Sequence, residues 1–263
     1  MTTRPLPDSG HKEPKMISLD GKRAIVTGGG AGIGRATAQV LAELGARVVI
    51  ADIDTEGGEQ TAKDTGGTFV RCDVSRREDC ESVVNTAQER FGGVDVLFNN
   101  AGIIRRSTVC EITEDDWDLV MAVNIRSVLL MSRLVIPGMA ARGGGSIVNT
   151  GSGWGIRGGG RAVSYCASKG AVVNMTRAMA IDHGPDNIRV NCVCPGDTAT
   201  GMLAEEARQL GESSDAFYAD AADRPLGRIG QPRDIAQTVA FLASDASAFL
   251  SGAIIPVDGA GTA

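Results

Sequence analysis

Short runs of β-branched residues alternate with longer amphipathic runs along nearly the whole chain, and few folds accept that order. The short runs, interpreted as strands, are 23–27, 47–51, 68–72, 94–99, 146–150, 189–193 and 253–257. The helical runs are 34–44, 55–64, 78–91, 114–141, 164–183 and 232–243. Strands separated by helices indicate βαβ units with right-handed crossovers, and therefore an α/β fold around a parallel sheet.

The strand runs are nearly continuous in apolar residues, which is typical of strands covered on both faces. Pro256 cannot donate a ladder hydrogen bond, so we expect the last strand at a sheet edge. Segment 203–226 is polar, acidic and helical in pattern, which predicts an insertion over one end of the sheet. The prediction is one domain over residues 17–263, with a substrate-loop insertion at about 198–227.

Composition narrows the class of protein. The chain has 263 residues, 43% of them hydrophobic, and a net charge of −6, which argues against a nucleic-acid partner. No apolar run approaches the roughly 18 residues of a membrane span. Residues 1–16 lack the apolar region of a signal peptide, and we expect them to be a disordered extension of a cytoplasmic protein.

The cysteines are scattered through the sequence. None forms a C-x-x-C pair, and the two histidines do not join them, so we expect no metal site. We expect the cysteines to be small core residues of a protein in a reducing compartment. They are Cys72, Cys80, Cys110, Cys166, Cys192 and Cys194.

A glycine-rich loop, GGGAGIG, joins the first strand to the first helix. Glycines at 28, 32 and 34 permit a tight turn and a close backbone approach to a ligand. They also direct the free N–H groups of the helix outward, where a pyrophosphate binds. The spacing differs from G-x-G-x-x-G, but the position between strand and helix favours dinucleotide binding over a merely flexible turn.

An acidic residue about 20 residues beyond such a loop binds the adenosine ribose. Asp52, at the end of the second strand, meets this expectation, and its carboxylate would repel a 2′-phosphate. Ala31 supplies no positive charge in the loop, so the pattern favours NAD over NADP. Asp54 is a second candidate beyond the strand end.

Asp73 ends the third strand and is placed to reach the adenine amino group. The alternative is that Asp73 or Ser75 caps the helix that follows.

Tyr165 and Lys169 are one helical turn apart and share a face. A free phenol has a pKa of about 10, and a neighbouring ammonium lowers it. Such a phenol can accept a proton from an alcohol or return one to a ketone. A pair at this spacing is usually only a surface contact, but Ser152 lies on a glycine-rich loop leading to the same helix and can bind the substrate oxygen.

In order along the chain, TGGGAGIG, NNAG at 99–102, Asn124 in MAVNI, Ser152, YCASK and the Pro-Gly at 195–196 resemble the classical short-chain dehydrogenase/reductase family. The resemblance covers roughly residues 19–259. It implies a single Rossmann-like, doubly wound domain with a seven-stranded parallel sheet, commonly assembled as a homotetramer.

The resemblance also implies roles for individual residues. Tyr165 would be the catalytic acid/base, Lys169 would lower its pKa and bind the nicotinamide ribose, and Ser152 would hold the reacting oxygen. Asn124 would anchor a water in the proton relay. With the loop and the aspartates, the expected NAD-binding residues are Gly28, Gly32, Ile33, Gly34, Asp52, Asp73, Val74, Asn100, Ala101, Tyr165, Lys169, Pro195, Gly196, Thr198 and Thr200.

The expected substrate is a small secondary alcohol or its ketone. Trp154 is expected to form one pocket wall, with a plain core position as the alternative. Arginines 105, 106, 157 and 161 cluster near the same segments. The hypothesis is that one or two of them, Arg105 and Arg157 foremost, bind a carboxylate or sulfonate; the alternative is solvated or intersubunit arginine.

Three further points stay open from sequence. A 3-oxoacyl thioester reductase would share all these motifs, although it would normally use NADPH, against which Asp52 argues. A non-catalytic dinucleotide-sensing protein would usually lose Tyr165 or Lys169. Asp197 stands where an apolar residue is commoner in the family, and it either faces the substrate or caps the next helix.

Overall fold

The computed structural model describes residues 17–263, so the extension expected at residues 1–16 lies outside the described range. The strands are β1 Arg23–Thr27, β2 Arg47–Asp52, β3 Thr68–Arg71, β4 Val96–Asn99, β5 Gly145–Thr150, β6 Ile188–Pro195 and β7 Ile254–Val257. They form one parallel sheet in the order β3-β2-β1-β4-β5-β6-β7. The predicted α/β class and seven-stranded parallel sheet are confirmed, and strand ends differ from prediction by a residue or two.

The helices of the described chain cover both faces of the sheet. They are α1 Gly32–Glu43, α2 Thr55–Thr65, α3 Arg77–Phe91, α4 Glu114–Met121, α5 Ser127–Ala141, the short α6 Gly153–Ile156, α7 Val163–His183, α8 Gly201–Leu210, α9 Ser214–Ala222 and α10 Pro232–Ala243. Segment 203–226 is helical, as predicted, and contributes α8 and α9.

Two apolar layers form because neighbouring strand residues point to opposite faces of the sheet. Val26 belongs to the cluster that includes α1 and α10, whereas Ile25 belongs to the cluster that includes α3 and α5. Both side chains are fully buried. This burial on both faces explains the nearly continuous apolar runs of the sequence.

The last strand, β7, lies at the edge of the sheet beside β6. The prediction from Pro256 is therefore confirmed, since proline at an edge sacrifices no ladder hydrogen bond inside the sheet.

The helix predicted over 114–141 is interrupted. A π-helical turn, Ala122–Arg126, separates α4 from α5 and contains the buried Asn124. Glu114–Ala141 is long and apolar enough to cross a membrane by length and composition. Buried residues of α5, such as Met131 and Val135, nevertheless belong to the core against the sheet, as in helices of globular domains.

Candidate active site

A cavity of about 580 Å³ opens at the carboxyl ends of the parallel strands. It lies beside the point between β1 and β4 where the strand order reverses, which is where open α/β sheets bind ligands. Every predicted cofactor residue except Gly34 lines this cavity, and so do Ser152 and the predicted substrate residues Trp154, Arg105 and Arg157. The fold therefore brings together segments spread over most of the chain.

The glycine loop forms a cradle that no larger residue could form. A Cβ on Gly34 would lie 1.9 Å from the carbonyl oxygen of Gly28, and Gly28 has a φ of 63°. The Asn100 side-chain amide donates to the carbonyls of Thr27 and Gly28 at 3.0 and 3.1 Å. The loop is thus fixed against the segment after β4, and its open backbone fits a pyrophosphate.

Thr27, the first residue of the TGGGAGIG motif, has a supporting role that was not predicted from the sequence. Its hydroxyl oxygen accepts hydrogen bonds from the backbone N–H groups of Asn100 and Ala101, at 3.0 and 3.2 Å. Thr27 ends β1 and the other two residues follow β4, so the contact ties together the two strands at the reversal point.

Asp52 ends β2 on the cavity wall, and its carboxylate is held in place. One oxygen accepts from the Gly30 backbone N–H at 2.7 Å, and the other accepts from the Asp54 N–H at 2.9 Å. Asp54 itself is exposed and does not line the cavity. The nearby Arg35 guanidinium donates to the Gly30 carbonyl and the Thr61 hydroxyl. Asp52 is therefore the better placed of the two candidate aspartates.

Asp73 lines the cavity and does not cap α3. One of its carboxylate oxygens accepts from both the backbone N–H and the hydroxyl of Ser75, at 3.0 and 2.7 Å. The residue at the start of α3 is Arg76, with no side-chain cap. The capping alternative is therefore wrong, and adenine recognition by Asp73 stays a prediction.

Tyr165 and Lys169 lie near the start of α7, across from Ser152 at the start of α6. All three side chains are largely or fully buried. The Ser152 hydroxyl oxygen accepts from the Trp154 N–H at 3.1 Å, which fixes the serine side chain. Lys169 Nζ donates to the Thr150 carbonyl at 2.8 Å and lies 5.7 Å from the centroid of the Tyr165 ring.

Burial dominates the ionisation of this group. It raises the pKa of Tyr165 above its ordinary value; the Ser152 hydroxyl lowers it and the charge of Glu206 raises it. Burial lowers the pKa of Lys169 to about 8. At neutral pH the phenol is therefore protonated and the lysine is mostly charged. That Lys169 lowers the pKa of Tyr165 during turnover stays a prediction.

Asn124 lies behind the cavity wall, next to the lysine. Its amide donates to the Ile103 carbonyl and the Ser168 hydroxyl, both at 2.9 Å, and its oxygen accepts from the Ile103 N–H at 2.8 Å. Lys169 Nζ and the Asn124 side-chain oxygen both lie beside Gly102. They are 3.3 and 3.4 Å from the position that a Cβ atom on this glycine would occupy. The π-helical turn thus places Asn124 beside Lys169, and its part in a proton relay stays a prediction.

The predicted arginine cluster is dispersed. Arg105 is paired with Asp116 at 2.9 Å, and Arg157 donates to the Gly261 carbonyl. Both line the cavity. Arg161 is exposed and does not line the cavity. Arg106 is paired with the Glu206 carboxylate.

Asp197 faces the cavity and forms an ion pair with Arg224 at 2.5 Å. The residue that precedes α8 is Thr200, so the alternative in which Asp197 caps this helix is wrong. Arg224 also lines the cavity and was not predicted.

The C-terminal segment was missed as well. Asp258, Gly261 and Thr262 line the cavity, and the Thr262 hydroxyl donates to the Asp258 carboxylate at 2.6 Å. Asp258 follows β7 directly, and all strands are parallel, so its position at the carboxyl edge was open to prediction.

The cysteines are all free. Four are buried as expected, but Cys110 is exposed and Cys166 is half-buried. Within residues 17–263 no cluster of histidine, cysteine, aspartate and glutamate could hold a metal ion.

Residues 28–262 match the family model described as enoyl-(acyl carrier protein) reductase. The chain belongs to the classical short-chain dehydrogenase/reductase family. This dehydrogenase/reductase is 41% identical to 2-(S)-hydroxypropyl-CoM dehydrogenase 3 of Xanthobacter autotrophicus, over 90% of this chain and 95% of that protein. It is 40% identical to meso-2,3-butanediol dehydrogenase of Serratia marcescens, over 94% and 97%.

Solved structures agree with this assignment. The crystal structure of 3-ketoacyl-(acyl-carrier-protein) reductase from Brucella melitensis complexed with NADH superposes with a TM-score of 0.86 at 33% identity. It covers 94% of this short-chain dehydrogenase/reductase and 100% of its own chain.

Proposed function

We propose that this oxidoreductase interconverts a small secondary alcohol and its ketone, with NAD as the hydride acceptor. The observation that carries the proposal is one cavity with the Tyr165, Ser152 and Lys169 side chains at one end and the Asp52 carboxylate at the other. The names of two relatives, a butanediol dehydrogenase and a hydroxypropyl-CoM dehydrogenase, support an alcohol substrate.

The chain's own residues handle the proton and the orientation of the substrate. The Ser152 hydroxyl holds the alcohol oxygen, and the Tyr165 phenolate oxygen accepts its proton as the carbon–oxygen double bond forms. Lys169 stabilises the phenolate and would hold the ribose of a bound nicotinamide cofactor. A bound nicotinamide supplies the hydride acceptor for the carbinol carbon. In the reverse direction, the Tyr165 hydroxyl returns the proton to the ketone oxygen.

Replacing Asp52 with asparagine is expected to weaken the preference for NAD over NADP at least about tenfold. The wild-type carboxylate repels a 2′-phosphate, and like charges brought together cost several kcal/mol. Asparagine keeps an oxygen that can accept the Gly30 N–H bond and gives up the bond from the exposed Asp54 N–H, so the glycine loop should stay in place. The measurement is kcat/KM with each cofactor at a fixed alcohol concentration.

The matched control for that experiment is Asp54→Asn, an exposed carboxylate two residues on that does not line the cavity. Its cofactor preference should equal that of the wild type. An Asp52→Asn variant that discriminated as strongly as the wild type would remove Asp52 from cofactor selection.

Two other functions remain to be separated from this one. A 3-oxoacyl thioester reductase would favour NADPH and turn over acyl thioesters, and a sensor would bind NADH without turnover. Three measurements distinguish these functions: oxidation of a panel of secondary alcohols with NAD or NADP, reduction of 3-oxoacyl thioesters with NADH or NADPH, and binding of NADH alone, each followed by nicotinamide fluorescence. Turnover with NADPH and 3-oxoacyl thioesters alone would overturn the proposal.

We further propose a homotetramer in the cytoplasm. Exposed apolar residues on α4, α5 and α7, among them Trp117, Leu129 and Ile181, give the assembly an apolar surface to cover. Light scattering after size-exclusion chromatography is expected to give four times the chain mass of 27.2 kDa. A monomer mass at micromolar concentration would contradict this assembly.

A further inference from the structure

One carboxylate inside the cavity has no part in the mechanism above. Glu206 lies on α8, in the insertion that covers the cavity, and its side chain is only 12% exposed. Its Oε2 accepts from Arg106 at 2.8 Å. Burial raises the pKa of Glu206 to about 7, because the charged form loses solvent. A carboxylate in this environment requires hydrogen-bond donors.

Arg106 is held from several sides and anchors this carboxylate. Its guanidinium stacks over the Trp154 ring at 4.8 Å and donates to the Gly160 carbonyl at 3.1 Å. Its backbone N–H donates to the Gln209 side chain on α8 at 2.8 Å. The arginine therefore joins three walls of the pocket: the segment after β4, the loop after Ser152, and the insertion. Its charge is neutralised by Glu206 and is not offered to a substrate anion.

Glu206 lines the same cavity as Tyr165 and is connected to it through Arg106 and Trp154. Trp154, on which Arg106 stacks, contacts Tyr165 edge to face, with ring centroids 6.2 Å apart. The negative charge of Glu206 raises the pKa of Tyr165, so its field reaches the reacting hydroxyl. Two arginines of the cavity wall are already paired, Arg105 with Asp116 and Arg224 with Asp197.

We propose that Glu206 is a specificity-determining residue that accepts a hydrogen bond from a hydroxyl or ammonium group next to the carbinol carbon of the substrate. The substrate class is therefore vicinal diols and 2-amino alcohols, or the corresponding hydroxy- and aminoketones. One oxygen of the carboxylate stays with Arg106, and the other serves the substrate. This inference rests on the proposed alcohol dehydrogenase function and names its substrate class.

The test replaces Glu206 with glutamine. Because Arg106 offers only donors, the amide oxygen is expected to turn toward it, and the amide NH₂ then faces the substrate. The acceptor in the cavity becomes a donor. The probes are a four-carbon series: 2-butanol, 2,3-butanediol, 3-amino-2-butanol and 3-hydroxybutyrate, each assayed with NAD.

The wild type is expected to prefer the diol and the amino alcohol to 2-butanol in kcat/KM. In Glu206→Gln, kcat/KM should fall about tenfold for the diol and about a hundredfold for the amino alcohol, since bonds to charged groups are the stronger ones. The value for 2-butanol should fall less than the value for the diol, because 2-butanol reports only the effect of the lost Glu206 charge on Tyr165. Glu206→Asp keeps the charge, so it should retain more amino-alcohol activity than Glu206→Gln. If Glu206→Gln does not fold, Glu206→Asp provides the test in its place.

The matched control is Glu212→Gln, an exposed carboxylate just past α8 that does not line the cavity, and it should resemble the wild type on all four probes. An equal loss on 2-butanol and on the diol, or no loss on either, would overturn the role of Glu206. A wild type that prefers 3-hydroxybutyrate would also overturn it and favour an arginine-bound anion. Failure of this inference can be told apart from failure of the proposed function. If the wild type turns over 2-butanol with NAD, the alcohol dehydrogenase function stands and only the role of Glu206 is in question. If no probe is turned over, the proposed function and the role of Glu206 are both overturned.

Discussion

Replacing Tyr165 with phenylalanine is expected to lower kcat/KM for alcohol oxidation by about a thousandfold, with a much smaller loss of affinity for NADH, since the tyrosine is only one of the residues expected to bind the cofactor. A positioned acid or base contributes roughly 10²–10⁴-fold to rate, and the variant removes the only atom of this side chain that can take the proton. The ring that packs against Trp154 is kept, so the cavity should keep its shape. Steady-state kinetics and NADH fluorescence titration measure the two quantities separately.

The control for this variant is Tyr218→Phe, which makes the same chemical change on α9, away from the cavity wall. It should retain wild-type activity. If Tyr165→Phe kept a tenth or more of the wild-type kcat, another group would be the base. If the affinity for NADH fell as far as kcat/KM, the loss of activity would have a structural cause.

The sheet was open to prediction because its signal is local. Strands covered on both faces must be apolar almost throughout, and the helices between them must carry polar outer faces. The signal of the glycine loop is local as well, because the close approach of Gly34 to the Gly28 carbonyl leaves no room for a side chain. The position of Asp52 on the cavity wall was predictable because it ends a strand, and the carboxyl ends of the parallel strands meet at the cavity.

The substrate end was less predictable because its contacts join distant segments. Arg106 and Glu206 are separated by 100 positions in the sequence, and their pairing depends on how the insertion folds over the sheet. Sequence placed Arg106 with three other arginines and suggested an anion site. In the structure, each arginine of the cavity wall contacts a carboxylate or a carbonyl of the described chain.

Desolvation is also invisible in the sequence. The spacing of Tyr165 and Lys169 indicated a lowered pKa for the phenol, but burial of the ring raises it in the structure. The lysine charge is directed to the Thr150 carbonyl. The phenolate must therefore form during turnover, when substrate and cofactor change the surroundings of both groups.

Replacing Lys169 with methionine is expected to lower kcat/KM for alcohol oxidation about a hundredfold at pH 7. The variant should also move the rise of the oxidation rate to higher pH, because the phenolate loses its nearest cation. The KM for NAD should increase, since the lysine is predicted to bind the ribose. The measurement is a pH–rate profile of kcat and kcat/KM. An unchanged profile would remove the lysine from the proton transfer.

The same substitution has a second, opposite effect on the stability of the protein without cofactor. Burial lowers the pKa of Lys169 from 10.5 to about 8 in the folded state. Below pH 8 the lysine is charged in both states, and the cost of burying the charge is fully present. This cost declines as the pH rises from about 8 and is gone above about 10.5, where both states are neutral.

Methionine avoids that cost at every pH, but it leaves the Thr150 carbonyl without its donor, a loss that does not depend on pH. The melting temperature of Lys169→Met minus that of the wild type should therefore be highest up to about pH 8 and fall between pH 8 and pH 10. A difference that stayed constant over this range would show that the lysine is not desolvated in the folded protein. If the variant lost activity and gained stability at neutral pH, the two results together would show that the buried Lys169 charge destabilises the folded state and accelerates the reaction.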